Sequence, residues 1–179
     1  MRARLRSEAG FGLIELIISL TLLNVAILAI VAAFNTGVIS LERAAETANA
    51  TVVGERQMEL YRAVRYDLIA LDATAATSAN ADTVYRCDAA NKIDTAGACG
   101  GANQQTLVTV TCASLTPECN PRQTVTGPDN RSYRVDTYIV WHTPPNARAV
   151  KLVTIVVRRP DTNAVLARVA STFDESTGL

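Results

Sequence analysis

The residue types that could carry chemistry are few in this chain of 179 residues: four cysteines, a single histidine and one carboxylate set inside an apolar run. Cys87, Cys99, Cys112 and Cys119 are separated by eleven, twelve and six residues, spacings that match no CxxC metal or redox motif, so zinc finds little support. His142 stands beside Trp141 in a strand-like pattern and reads as a surface or packing residue rather than a base. No serine or cysteine lies in a nucleophile motif with a base and an orienting carboxylate. Gly97 and Gly100-Gly101 fall in a Cys-bounded stretch with no helical pattern after them, which is not the layout of a phosphate cradle. No enzymatic activity, cofactor or metal is expected. Lys plus Arg (17) cancels Asp plus Glu (17), which removes the global basic footprint expected of a nucleic-acid binder.

The carboxylate is Glu15, and the elements around it matter more than its own chemistry. Met1-Arg2-Ala3-Arg4-Leu5-Arg6 is cationic; Ser7-Glu8-Ala9-Gly10 follows, and then an apolar run from Phe11 to Leu41. Leu16 to Phe34 is nineteen residues without a charge, with only Ser19, Thr21 and Asn24 polar. At about 1.5 Å per residue a helix of this length spans about 28 Å, close to the hydrocarbon thickness of a bilayer. Unlike a soluble core helix, the stretch shows no polar face. Arg2, Arg4 and Arg6 hold the N-terminus in the cytoplasm by the positive-inside rule, leaving everything after Leu41 outside. A cleavable secretory signal would instead end near Val31-Ala32-Ala33. Two features oppose that: Glu15 inside the run, and the passage through Asn35-Thr36-Gly37 into a further helical pattern.

Gly10-Phe11-Gly12-Leu13-Ile14-Glu15, followed directly by Leu16-Ile17-Ile18-Ser19-Leu20, resembles the class III signal of type IV prepilins and of the pseudopilins of type II secretion. The resemblance covers about the first 45 residues. It implies that a prepilin peptidase/methyltransferase cuts after Gly10 and methylates the amine of Phe11, with Glu15 becoming the fifth mature residue. Glu8 and Ala9 stand where many family members carry a basic residue, and Ala32 lies near the place of a common helix-kinking proline. The α-amine exposed at Phe11 has an ordinary pKa of about 7.7 to 8.0 and is largely cationic at neutral pH. In a bundle of such helices the amine of a neighbouring subunit would neutralise Glu15 and favour one axial register. The alternative is a carboxylate that stays at the headgroups. The partners implied are other pilin or pseudopilin subunits, a membrane assembly platform and, before assembly, the lipid bilayer.

Beyond Gly37 the pattern becomes amphipathic. Val53, Leu60, Val64, Leu68 and Leu71 recur at helical spacing among Glu42, Arg43, Glu46, Glu55, Arg56, Glu59, Arg62 and Arg65, which predicts one helix from about Phe11 to about Leu71 with Gly37 and Gly54 as flex points. Ala73 to Asp82, rich in Ala, Thr, Ser and Asn, is expected to be a loop. Strands are expected at Thr106–Cys112, at Tyr133–Thr143, at Val150–Arg158 and over a last segment containing Val165, Ala167, Val169 and Phe173. In the second of these, Val135, Ile139 and Trp141 alternate against Arg134, Asp136 and His142.

The expected fold class is therefore α+β: a long N-terminal helix packed on a small antiparallel sheet, which is also the pilin-like layout that the resemblance implies. Its parts are a leader, 1–10; a transmembrane and polymerisation half of the helix, 11–41; an amphipathic half, 42–72; and an extracytoplasmic sheet domain with Cys-bearing loops, 73–179. An exported location permits disulfides. Four cysteines allow three connectivities; pairing neighbours, Cys87 with Cys99 and Cys112 with Cys119, would close two loops worth about 2 to 3 kcal/mol each, and free buried thiols are the alternative. Arg131, Arg134, Arg148, Lys151, Arg158, Arg159 and Arg168 make the sheet basic, a surface for DNA or an acidic neighbouring subunit unless it is simply solvated. The leading expectation is a filament subunit, minor pilin-like or pseudopilin. A signal-anchored extracytoplasmic binding domain comes second and a secreted enzyme third.

Overall fold

The computed structural model describes residues 12–91, 93, 99, 105–145 and 148–175. Two compact units divide the chain, Met1–Ala44 and Ala45–Leu179. One α-helix, α1, runs Leu13–Ala63, with Glu15 in its first turn and Arg62 in its last, each of the sign that the helix dipole favours there. It is the one described helix long and apolar enough to cross a membrane. Every described residue of the first unit is exposed, the apolar side chains from Leu13 to Leu41 included.

Within the second unit the helix buries Ala50, Val53, Gly54, Gln57, Met58 and Tyr61, spacings of three and four that place them on one face. The phase differs from the expected stripe, since Leu68 is exposed and Leu60 only half-buried. The helix also stops earlier, at Ala63, and a 3₁₀ turn at Tyr66–Leu68 follows. Ile69, Ala70 and Leu71 are all buried, and no helix can bury three consecutive side chains on one face. The chain extends instead, and the Leu71 N–H donates to the Val108 carbonyl at 3.0 Å. Gly54 is not a flex point: a Cβ there would lie 3.0 Å from Val169 Cγ2 and 3.4 Å from Val157 Cγ2, so its missing side chain lets the helix seat closely on the sheet.

The segment expected as a loop is helical. β1 (Leu71–Asp72) leads into α2 (Ala73–Asn80), and α3 (Thr83–Arg86) follows. Aspartates cap both helices: Asp72 accepts from the Ala75 N–H at 2.8 Å and Asp82 from the Val84 N–H at 2.9 Å. Alanines at helical spacing, Ala76 and Ala79, form the buried face of α2.

Only Thr109–Val110 of the expected 106–112 strand forms a strand, β2, parallel to β1; Leu107 makes a single bridge to Val140. Its place in the main sheet is taken by β3 (Arg122–Thr126), which pairs with β4 (Ser132–His142), then β5 (Val150–Arg158) and β6 (Val165–Phe173), in the order β3-β4-β5-β6, antiparallel throughout. Hairpin geometry explains why β3 wins the edge. Gly127-Pro128-Asp129-Asn130 turns the chain back with Asn130 at φ 57°, and the Gly127 N–H donates to the Arg131 carbonyl at 2.9 Å.

Both faces of the sheet are covered. Val135, Ile139, Val153, Ile155 and Val157 pack against the buried stripe of α1. On the opposite face Tyr138 and Val156 meet Tyr85, Ala79 and Ile93. The alternation along β4 does not divide buried from exposed side chains: Asp136, on the polar side, is fully buried, and Trp141, on the apolar side at the strand's far end, is exposed.

Candidate functional site

Glu15 sits in the first turn of α1. Its N–H donates to the Gly12 carbonyl at 3.0 Å, as does that of Leu16 at 3.2 Å, so the helix is already closed at the carboxylate. Its side chain is exposed among Leu13, Ile14, Leu16 and Ile17, which are themselves exposed. The expected processing residues, Gly10 and Phe11, lie outside the described residues.

The cysteines form two disulfides, Cys87 with Cys99 and Cys112 with Cys119. The second closes a loop that is tied down at several points. Asp72 donates its N–H to the Cys119 carbonyl at 2.8 Å, and its carboxylate accepts from the Cys112 N–H at 3.2 Å. At the loop's crown the Pro117 carbonyl accepts from Gln57 Nε2 at 2.8 Å, while Tyr61 Oη donates to the Glu118 carbonyl at 2.8 Å. An open groove of about 560 Å³ runs beside this loop between α1 and β3, lined by Val52, Arg56, Leu60, Pro117, Val125 and Pro128 among others.

The basic residues of the sheet are engaged within the chain. Arg134, Asp136, Arg158 and Asp88 form a ladder that starts at Asp82 and ends at Arg168. Arg134 reaches Asp82 Oδ2 at 2.8 Å and Asp136 Oδ1 at 2.9 Å. Arg158 bonds Asp136 Oδ2 at 2.9 Å and Asp88 Oδ2 at 2.5 Å, and Arg168 donates twice to Asp88 at 2.9 Å. Arg122, more exposed, also reaches Asp82 Oδ2 at 2.8 Å, so three carboxylates meet four guanidiniums, and the charges that leave water, Asp136, Asp88 and Arg158, are each paired. Burial works to raise the Asp88 carboxyl, but Arg168, the Ala90 N–H and Arg158 outweigh it and hold it below the usual carboxylate range. At Asp136 burial dominates and holds the carboxyl above that range, against the pull of Arg134 and Arg158.

The remaining sheet cations are similarly occupied. Arg148 pairs with Asp174 at 2.5 Å, Arg159 with Glu46, and Arg131 stands 4.0 Å from Asp129. Lys151 is buried, its Nζ donating to the Tyr66 carbonyl at 2.7 Å and lying 4.5 Å from the centre of the Tyr66 ring; burial pushes its amine down from the usual lysine value. His142 is exposed at the end of β4. Among the described residues no three His, Cys, Asp or Glu side chains gather as metal ligands.

Comparison with protein-family models, with curated proteins and with solved structures finds no match for this chain. Sequence reasoning does not single out Asp82 and Asp88, which bond arginines of the sheet, or Asp72, which ties α2 to the Cys112–Cys119 loop. Each has a local signal: an Asp whose carboxylate caps the N–H groups two or three residues on, Val84 for Asp82, Ala75 for Asp72, Ala90 and Asn91 for Asp88.

Proposed function

We propose that this chain is a filament subunit of the type IV pilin and type II secretion pseudopilin class, minor pilin-like or pseudopilin, that inserts in the cytoplasmic membrane with its N-terminus inside. In this reading a prepilin peptidase cuts after Gly10 and methylates Phe11, and the mature chain polymerises through its apolar helix. One observation carries it: a continuous helix whose described apolar half is exposed and holds a single carboxylate, Glu15, one turn from the expected cut. That surface needs either lipid or neighbouring helices, and a polymer supplies the second once subunits leave the membrane. The sheet domain that follows is stapled by disulfides, as suits a part exposed outside the cell.

The α+β layout is compatible with this reading without being specific to it. A second reading, a membrane-anchored extracytoplasmic domain that binds a ligand and never polymerises, draws on the groove between α1 and β3.

The N-terminal sequence and mass of the protein recovered from its native envelope test the proposal. A chain starting at Phe11 with one added methyl supports it. A start near Phe34 or an intact Met1 overturns it, the latter in favour of the anchored domain.

A further inference from the structure

Within the apolar span, one polar side chain near the middle is left unsatisfied by its own helix. Ser19, Thr21 and Thr36 each return their hydroxyl to a carbonyl three or four residues back, at 3.0, 2.8 and 3.0 Å. The Asn24 carboxamide, a donor and an acceptor, bonds to no described residue. It lies eleven residues beyond Leu13 and ten before Phe34, about 15 Å of helix on either side. A side chain this short reaches neither headgroup region from there, and hydrocarbon offers it no partner.

The neighbours of Asn24 are ordered. Ile17, Asn24 and Val31 recur at intervals of seven, and Leu20, Ile27 and Phe34 recur at the same interval three residues along. These are the a and d positions of a heptad, β-branched or Asn at a and mainly Leu, Ile or Phe at d. A single Asn at an a position selects a two-stranded, in-register pair. Asn35, eleven residues or about three turns further, falls on the same side. Leu22, on the opposite side, is surrounded by apolar residues and hydroxyls already bonded to their own helix.

We propose that two copies of this chain pair side by side in the bilayer, parallel, through the Ile17–Asn24–Val31 face, with the two Asn24 carboxamides hydrogen-bonded to each other. A carboxamide is self-complementary, so an identical one satisfies both its donor and its acceptor. Two copies inserted in the same direction hold Asn24 at the same depth, whereas a different helix would need its own polar group at a matching level. The hydrophobic effect gives no drive for association between helices in lipid, which leaves the polar pair and close packing to decide. Filament formation is not required, only that the first half of α1 lies in a membrane. Pairing at equal depth is also distinct from an amine-to-Glu15 contact, which needs an axial offset between subunits.

The test is subunit counting by stepwise photobleaching of the full-length chain, labelled at its C-terminus, in phosphatidylcholine vesicles over a dilution series of protein to lipid. Two steps are expected, giving way to one on dilution. Asn24→Leu, which inserts more readily than the natural residue, should weaken pairing about tenfold, and Asn24→Gln should retain most of it. Ile17→Cys should cross-link between copies and Leu22→Cys should not. Single steps at every dilution, assemblies larger than two, pairing unchanged in Asn24→Leu, or cross-linking equally efficient at position 22 would each overturn the proposal.

Discussion

The Asp88 carboxylate holds the Arg158 guanidinium at 2.5 Å, linking the loop after α3 to a central strand of the sheet across 70 residues of sequence. Both side chains are nearly inaccessible to water, and Asp88 also receives Arg168 and the N–H groups of Ala90 and Asn91. Through this contact α2 and α3 are fastened to a sheet face that would otherwise be solvated.

Removing the acid should therefore be severe. Asp88→Ala leaves Arg158 buried beside one remaining carboxylate and frees Arg168; breaking one partner of a buried pair typically costs about 3 to 5 kcal/mol. Arg168→Ala should cost much less, because its side chain is 30% exposed and Asp88 keeps Arg158. Urea unfolding of the detergent-solubilised chain measures both. Equal losses for the two variants would show that the ladder is not organised around Asp88.

The pH dependence follows from the same groups. Asp82 and Asp88 have folded-state values below the ordinary range, as does Glu46 through its hydrogen bond to Arg159. The folded state binds protons at these sites less readily than the unfolded chain, so their contribution is complete above the unfolded value of about 4 and is lost as pH falls through the depressed folded values. Asp136, raised by burial, contributes with the opposite sign, opposing folding above its folded value. The urea midpoint should be nearly level from roughly pH 7 to 5 and fall steeply below about 4. Asp88→Asn should flatten that acid limb.

Much of the sheet is legible in the sequence, and its hidden parts have identifiable causes. Continuous apolar residues mark β5, and alternation marks β4 and β6, because those patterns answer to burial by local neighbours. Asp136 and Arg158 read as a solvated face because their burial depends on the covering segment that carries α2, α3 and Asp88, and the buried face of α2 is made of alanines too small to announce a core. β3 escapes notice because five residues, Arg122–Thr126, carry only one large apolar side chain, and the turn that places them lies beyond the strand itself. Glu15 stands out by contrast alone: a carboxylate in an apolar run needs no tertiary context to be noticed. Asp72 does need it, since its link to the Cys112–Cys119 loop joins positions 40 residues apart.

That loop gives a third prediction. Cys112→Ser with Cys119→Ser opens a ring with a separation of 7 residues and should lower stability by about 2 to 3 kcal/mol on the chain-entropy model. Because the Pro117 carbonyl receives Gln57 and the Glu118 carbonyl receives Tyr61, the loop's release should also raise hydrogen exchange along the adjoining turn of α1. Exchange confined to residues 112–119 would show that the disulfide holds only itself.

Gly54 offers a test of helix seating. Gly54→Leu drives a branched side chain into Val169 and Val157 and should cost about 1 to 3 kcal/mol, despite leucine's better helix propensity. Pairing it with Val169→Ala makes room on the sheet, so the double variant should recover part of the loss. Strictly additive effects of the two substitutions would mean that the helix does not rest on that strand through Gly54.

Glu15 carries the functional proposal to its sharpest point. If the carboxylate acts only when a neighbour's Phe11 amine reaches it, Glu15→Ala removes no hydrogen bond or ion pair to a described residue, since the side chain is exposed. Membrane insertion and cutting after Gly10 should proceed as in the natural chain, and the substitution also removes a charge from the apolar helix, which eases insertion. Entry into filaments should fail, because register between subunits loses the pair that sets it. Gly10→Ala should fail earlier, leaving an uncut precursor in the membrane. The measurement is a pair of immunoblots, precursor against mature chain in membranes and mature chain in sheared filaments. Undiminished incorporation of Glu15→Ala would remove the amine from the mechanism and leave apolar packing alone to hold the subunits together.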